Sequence, residues 1–169
     1  MFPIVINPAR MRIAVAGDGA AAARRLKALE AAGVDHVIRF ADVPDVADLK
    51  DVRLLLIAGI ADGKAAALVE LARAMGILVN VEDRKAWCDF HLPAVTRRGD
   101  LVIAVSTNGR SPGLARRIRR HIDGLFGPEW QTRLDEMARE RGKWRQGGMK
   151  PRTLARLTNA FIDRQRWLG

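Results

Sequence analysis

Gly17-x-Gly19-x-x-Ala22 is the first stretch of the chain whose residue types and spacing could do chemistry. Gly17 permits a tight turn, Gly19 lets backbone approach a pyrophosphate, and Ala22 allows the next helix to pack close to its strand. A helix starting there adds free N–H groups and positive potential, with Ala20 and Ala21 in its first turn. The plainer reading is an ordinary strand-to-helix turn that happens to need two glycines. The flanks, apolar before and Ala-rich after, favour a dinucleotide loop, although Asp18 inside it is unfavourable for a phosphate. The acidic partner of an adenosine ribose belongs about 20 residues further on. Asp42 fits that place, and Arg39 nearby leaves a 2′-phosphate open. Asp83 lies two residues beyond the apolar run ending Asn80-Val81. A carboxylate at the C-terminal end of a buried parallel strand stands where open α/β sheets bind ligands and can take a proton. Turn and helix-cap aspartates are common as well.

The elements that must position these groups are readable from the apolar pattern. Arg10–Ala16, His36–Phe40, Leu54–Ala58 and Ile77–Val81 read as strands, and Leu54–Ala58 is continuously apolar, as a strand covered on both faces should be. Ala20–Ala32 and Gly63–Met75 read as helices closed by Gly33 and Gly76. The order β-α-β, short link, β-α-β predicts a parallel, doubly wound α/β sheet. After residue 90 the pattern changes. Arg97-Arg98-Gly99-Asp100 reads as a turn-like break before a strand at Leu101–Ser106, and Ser111-Pro112 as the cap and first residue of a helix reaching Leu125. Two further helices are expected around Glu129–Gly142 and Pro151–Trp167.

Charge divides the chain the same way. Residues 1–90 carry twelve Lys and Arg against twelve Asp and Glu, whereas residues 91–169 carry seventeen against seven, so the whole net charge of +10 lies in the second half. A basic half predicts an anionic partner: nucleic acid, a membrane surface, or a polycarboxylate or phosphate ligand. Lys143, Trp144, Arg145 and Lys150 mix basic and aromatic residues but read as a solvated helix end and loop. The single Cys88 excludes an internal disulfide, and with His36, His91 and His121 dispersed no resident metal is expected. Cys88 reads as a small filler. No apolar run reaches membrane-spanning length and no signal-peptide core stands out, so a cytoplasmic protein is expected.

Asn80-Val81-Glu82-Asp83, Cys88-Asp89-Phe90-His91-Leu92-Pro93-Ala94 and the run from Arg97 through Ser106-Thr107-Asn108-Gly109-Arg110-Ser111-Pro112 to Arg120 together resemble the siroheme synthase N-terminal family. That family comprises precorrin-2 dehydrogenases, some of which are also sirohydrochlorin ferrochelatases. The resemblance covers nearly the whole chain and is most specific from Asn80 to Arg120. It implies a Rossmann-like NAD-binding domain over 1–92, a small dimerisation and substrate segment over 93–125, and a C-terminal helical region over 126–169. It implies NAD as cofactor, held at Gly17, Gly19, Ala20 and Ala21, with Ala41 and Asp42 at the adenosine ribose. Asp83 corresponds to the family's aspartate implicated in dehydrogenation and chelation, and Thr107 to a loop Ser or Thr. The implied partners are an anionic tetrapyrrole, precorrin-2 or sirohydrochlorin, ferrous iron as a substrate where chelation occurs, and a second copy in a homodimer.

The tetrapyrrole's carboxylates would account for the basic half, with Arg97, Arg98, Arg110, Arg116 and Arg120 as candidates and none assigned singly. Nucleic acid is then the weakest of the anionic partners. Three departures stand out from the family's pattern. The link before Leu54 is short, Gly59-Ile60-Ala61-Asp62 replaces the usual Ala-Thr-Asp, and Gly-Asp-Gly replaces three consecutive glycines. They motivate a second reading, a non-catalytic tetrapyrrole- or nucleotide-binding protein on the same fold.

Overall fold

Four apolar runs form the first sheet in the computed structural model, which describes residues 2–168. They are β1 (Arg12–Ala16), β2 (Val37–Phe40), β3 (Val52–Ile57) and β4 (Leu78–Val81), all parallel, in the order β2-β1-β3-β4. Their side chains alternate between two faces. Ile13, Val15, Leu54 and Leu56 pack with Ala22 and Leu29 of helix α1 (Gly19–Glu30). Ala14, Ala16, Leu55, Ile57, Val79 and Val81 pack with Ala65, Leu68, Val69 and Ala72 of helix α2 (Asp62–Ala74). The two helices thus cover opposite faces, which is why β3 reads as an unbroken apolar run. Burying each of Leu55, Leu56 and Ile57 contributes on the order of 2 kcal/mol.

The short link between β2 and β3 holds no helix. Residues 46–51 make turns instead, and the fully buried Leu49 plugs the α2 face where a helix would otherwise lie. The outer edge of β4 is also closed without a strand. The Val79 N–H donates to the Asp89 carboxylate (3.0 Å) while the Asp89 N–H donates to the Val79 carbonyl (2.8 Å). The Cys88 thiol lies against the Val81 N–H and carbonyl at 3.3 and 3.2 Å. Arg73 of α2 holds Asp89 in place (2.9 Å), and that bond keeps the guanidinium above its ordinary pKa. Cys88 is therefore more than filler.

The chain divides into two compact units, Met1–Leu92 and Pro93–Gly169. The second begins with an antiparallel hairpin, β5 (Ala94–Arg98) and β6 (Leu101–Val105), turning at Gly99 with φ +58°. Arg97 and Arg98, expected in a break, are in fact the end of β5. Five residues opening after a proline and closing on two arginines carry too little apolar signal to be read as a strand. Helices α3 (Pro112–Leu125), α4 (Glu129–Gln146) and α5 (Pro151–Gln165) follow. Ser111 caps α3 as expected, its hydroxyl accepting from the Leu114 N–H.

Asp123 of α3 ties the hairpin to its helix. It accepts from the buried Thr96 hydroxyl (2.8 Å) and from Arg119, and Arg98 reaches its carbonyl (3.2 Å). Asp123→Ala strands the Thr96 hydroxyl, at a cost of about 1–3 kcal/mol. Thermal denaturation should show the melting temperature falling by several degrees, and an unchanged value would overturn this account. Lys143, Trp144 and Arg145 form the end of α4 and Lys150 stands in the loop before α5, as expected, and Trp144 packs edge-on against Phe161 of α5 at 6.4 Å. Arg133 lies over the rings of Trp130 and Trp167 at 5.0 and 5.9 Å. Among the described residues no helix is long and apolar enough to cross a membrane.

Candidate active site

Phe40, Ala16, Ile57 and Val81 lie side by side at the C-terminal ends of the four strands. Two residues beyond each stand Asp42, Asp18, Gly59 and Asp83. Backbone bonds from Gly17 to Phe40, Ala58 to Ala16 and Glu82 to Ile57 carry the alignment one residue past the strands, at 2.9–3.0 Å. Every site residue expected in the first unit therefore falls on one edge. That edge holds the switch point between β1 and β3, where α1 and α2 leave in opposite directions.

The two switch-point loops meet backbone to backbone. A Cβ on Gly17 (φ +114°) would lie 1.8 Å from the Ala58 carbonyl oxygen, and one on Gly59 (φ +78°) 2.4 Å from that of Asp18. Gly17 thus serves loop packing as well as the turn, and Gly59, noted only as a departure, is its counterpart. Gly19 (φ +68°) differs, because a Cβ there would meet nothing within 4 Å. It opens α1, whose first turn receives no side-chain cap from Asp18. Ala20 beside it is exposed and Ala21 half-buried, while Ala22 is buried against the sheet, as close helix–strand packing requires. An uncapped helix start beside open space fits a pyrophosphate. The Asp18 carboxylate is exposed and forms no ion pair among the described residues.

Ala41 and Asp42 follow β2 and are exposed. One Asp42 oxygen accepts from its neighbour's N–H, Val43 (2.9 Å), and the other from Lys64 Nζ of α2 (2.6 Å). The lysine first and the Val43 N–H second hold the Asp42 carboxyl below its ordinary pKa. Lys64 went unnoticed in the sequence, where nothing marks a lysine 22 residues away as a partner of Asp42. Ile38 and Phe40 pack on the α2 face, so alternation sends Arg39 to the α1 face, away from Lys64.

Asp83 stands exposed just past β4 in a left-handed turn, φ +55°, a conformation Asp tolerates better than most residues. Its neighbours are tied down on opposite sides of the sheet. Glu82 accepts from Arg24 of α1 (2.9 Å), and Arg84 grips Asp62 of α2 through both carboxylate oxygens (2.7 Å each). The Asp62 carboxylate raises the Arg84 pKa. The Asp83 carboxylate itself accepts no hydrogen bond among the described residues. Beneath it Asn80 is buried, its amide donating to the Phe90 carbonyl (2.8 Å) and its Oδ1 left without a partner.

His91 is half-buried and no three-residue metal cluster occurs among the described residues. In the second unit Arg98 is committed to Asp123, while Arg97, Arg110, Arg116 and Arg120 are exposed. Thr107 closes the turn before α3, donating to the Ser111 carbonyl (3.0 Å) and accepting its N–H (3.2 Å).

This arrangement has counterparts among known proteins. A family model described as sirohaem biosynthesis protein, central, matches residues 98–125, and an NAD(P)-binding model matches residues 34–94. A siroheme synthase of Nitrosococcus oceani is 30% identical across 90% of this chain and 37% of its own length. One of Nitrosomonas eutropha is 31% identical across 86% of this chain and 35% of its own. The chain thus spans little more than a third of the curated relatives it matches. A solved structure of SirC, a precorrin-2 dehydrogenase, superposes with a TM-score of 0.72 over 100% of this chain and 93% of that one, at 20% identity. The two family models fall on β2 to β4 and on the segment from the end of β5 through α3, and the siroheme synthases align with nearly all of both units: across both units the chain is similar to siroheme synthases.

Proposed function

We propose that the protein is an NAD-dependent precorrin-2 dehydrogenase. The reaction removes one hydride and one proton from precorrin-2, giving sirohydrochlorin, NADH and H⁺. The observation that carries this reading is Asp83, an exposed carboxylate that accepts no hydrogen bond among the described residues, flanked by ion pairs on the same sheet edge as the open start of α1. When bound, the nicotinamide cofactor supplies the hydride acceptor. The first-turn N–H groups at Gly19, Ala20 and Ala21 hold its pyrophosphate, and Asp42 takes the ribose hydroxyls. Asp83 accepts the proton from the macrocycle, which is a general base's task and needs the free lone pairs it has. The same carboxylate suits removal of a pyrrole N–H proton before ferrous iron enters as a second substrate. The exposed arginines of the second unit are of the type that binds carboxylates as bidentate forks.

The working form is a homodimer in this reading. A two-stranded sheet is marginal in water on its own, and β6 leaves Val102 exposed while α3 exposes Leu114, Ile118 and Leu125. The test is anaerobic incubation of the purified protein with enzymatically made precorrin-2 and NAD, followed by absorption. Sirohydrochlorin should appear only with NAD present, and a second trace with ferrous iron reads chelation. Substrate binding without any NAD-dependent change would leave the non-catalytic binding protein instead.

A further inference from the structure

Lys64 has no evident role in stability. It sits in the first turn of α2, where a cation opposes the helix dipole, and its bond to Asp42 joins two side chains that are 61% and 62% exposed. Exposed ion pairs of this kind contribute little to folding. The bond instead links the loop after β2 to the start of α2, on the edge that holds the open start of α1. Both oxygens of Asp42 already accept a hydrogen bond, so ribose hydroxyls reaching for that carboxylate must compete with an ammonium.

We propose that Asp42 and Lys64 together read the 2′ position of the cofactor's adenosine ribose: free hydroxyls take Asp42 and release Lys64, whereas a 2′-phosphate takes Lys64 and leaves Asp42. The chain therefore accepts both NAD and NADP. The inference rests on the nicotinamide-cofactor reading above and assigns the discrimination to one pair of side chains. Arg39, the cation that the sequence offers for a 2′-phosphate, points to the α1 face and does not share this position.

The test is calorimetric titration of NAD and NADP into the free protein, its Lys64→Met variant and its Asp42→Asn variant, with melting curves confirming that each is folded. The unaltered protein should bind the two nucleotides within about tenfold of each other. Lys64→Met should weaken NADP about tenfold, the scale of one charge-assisted bond, while NAD binds as well or better. Asp42→Asn should do the reverse, weakening NAD and tightening NADP. Equal effects on both nucleotides, or no effect of Lys64→Met on either, would overturn the proposal while leaving the cofactor reading standing. NAD binding without NADP binding in the unaltered protein would do the same. Binding of neither nucleotide would overturn the cofactor reading and the proposal with it.

Discussion

Asp83→Asn is expected to lower NAD-dependent sirohydrochlorin formation by at least about a hundredfold, the scale of losing a positioned general base. Asparagine is the informative replacement because it tolerates the left-handed turn at φ +55° and matches the carboxylate in size. The turn is also held from outside, by Arg24 on Glu82 and Asp62 on Arg84, so it does not depend on Asp83 for its shape. Nucleotide affinity and melting temperature should therefore stay at the unaltered protein's values while turnover collapses. Single-turnover absorption with saturating NAD measures this, and near-normal turnover would remove Asp83 from the chemistry.

Gly17→Ala is expected to unfold the first unit under conditions where the unaltered chain is stable. The new methyl would lie 1.8 Å from the Ala58 carbonyl oxygen, at a backbone φ of +114° that L residues avoid. Neither side can retreat. Gly17 N–H is bonded to Phe40 and Ala58 N–H to Ala16, both in register with the sheet. Steric overlap and backbone strain together cost on the order of 3 kcal/mol or more, a large fraction of a small unit's stability. Gly19→Ala is the contrasting variant. Its Cβ meets nothing, so only the strain of φ +68° remains, about 1–2 kcal/mol. That variant should fold and lose nucleotide affinity, because its methyl enters the space left for a pyrophosphate. Circular dichroism melts with nucleotide titration separate the two, and a well-folded Gly17→Ala protein would refute the packing argument.

The sheet was legible because burial on both faces writes itself as continuous apolar runs, and α1 and α2 because alanine and leucine repeat between glycine stops. Strand ends shifted by a residue or two; β1 opens at Arg12, after a short turn over Pro8–Arg10, and not at Arg10. Gly17, Gly19, Asp42 and Asp83 were nameable because local spacing and strand order place them. Lys64, Gly59 and the Arg24 and Asp62 clamps were not. Each acts across a loop contact between segments far apart in sequence, and such pairings leave no periodic trace. The hairpin's first strand was missed for the opposite reason, being too short and too polar to outweigh its arginines.

The return of residues 85–90 along β4 has a consequence beyond the site. Val79 and Val81 would otherwise present their N–H and C=O groups outward as a template for a strand from another molecule. Asp89 and Cys88 fill those bonding positions with one side-chain carboxylate, one thiol and a single backbone pair, none of which a foreign strand can extend. The sheet is thereby terminated against self-propagation on the side that carries Asp83. The turn that carries Asp83, held by its own ion pairs, thus follows a strand whose outer edge is already closed.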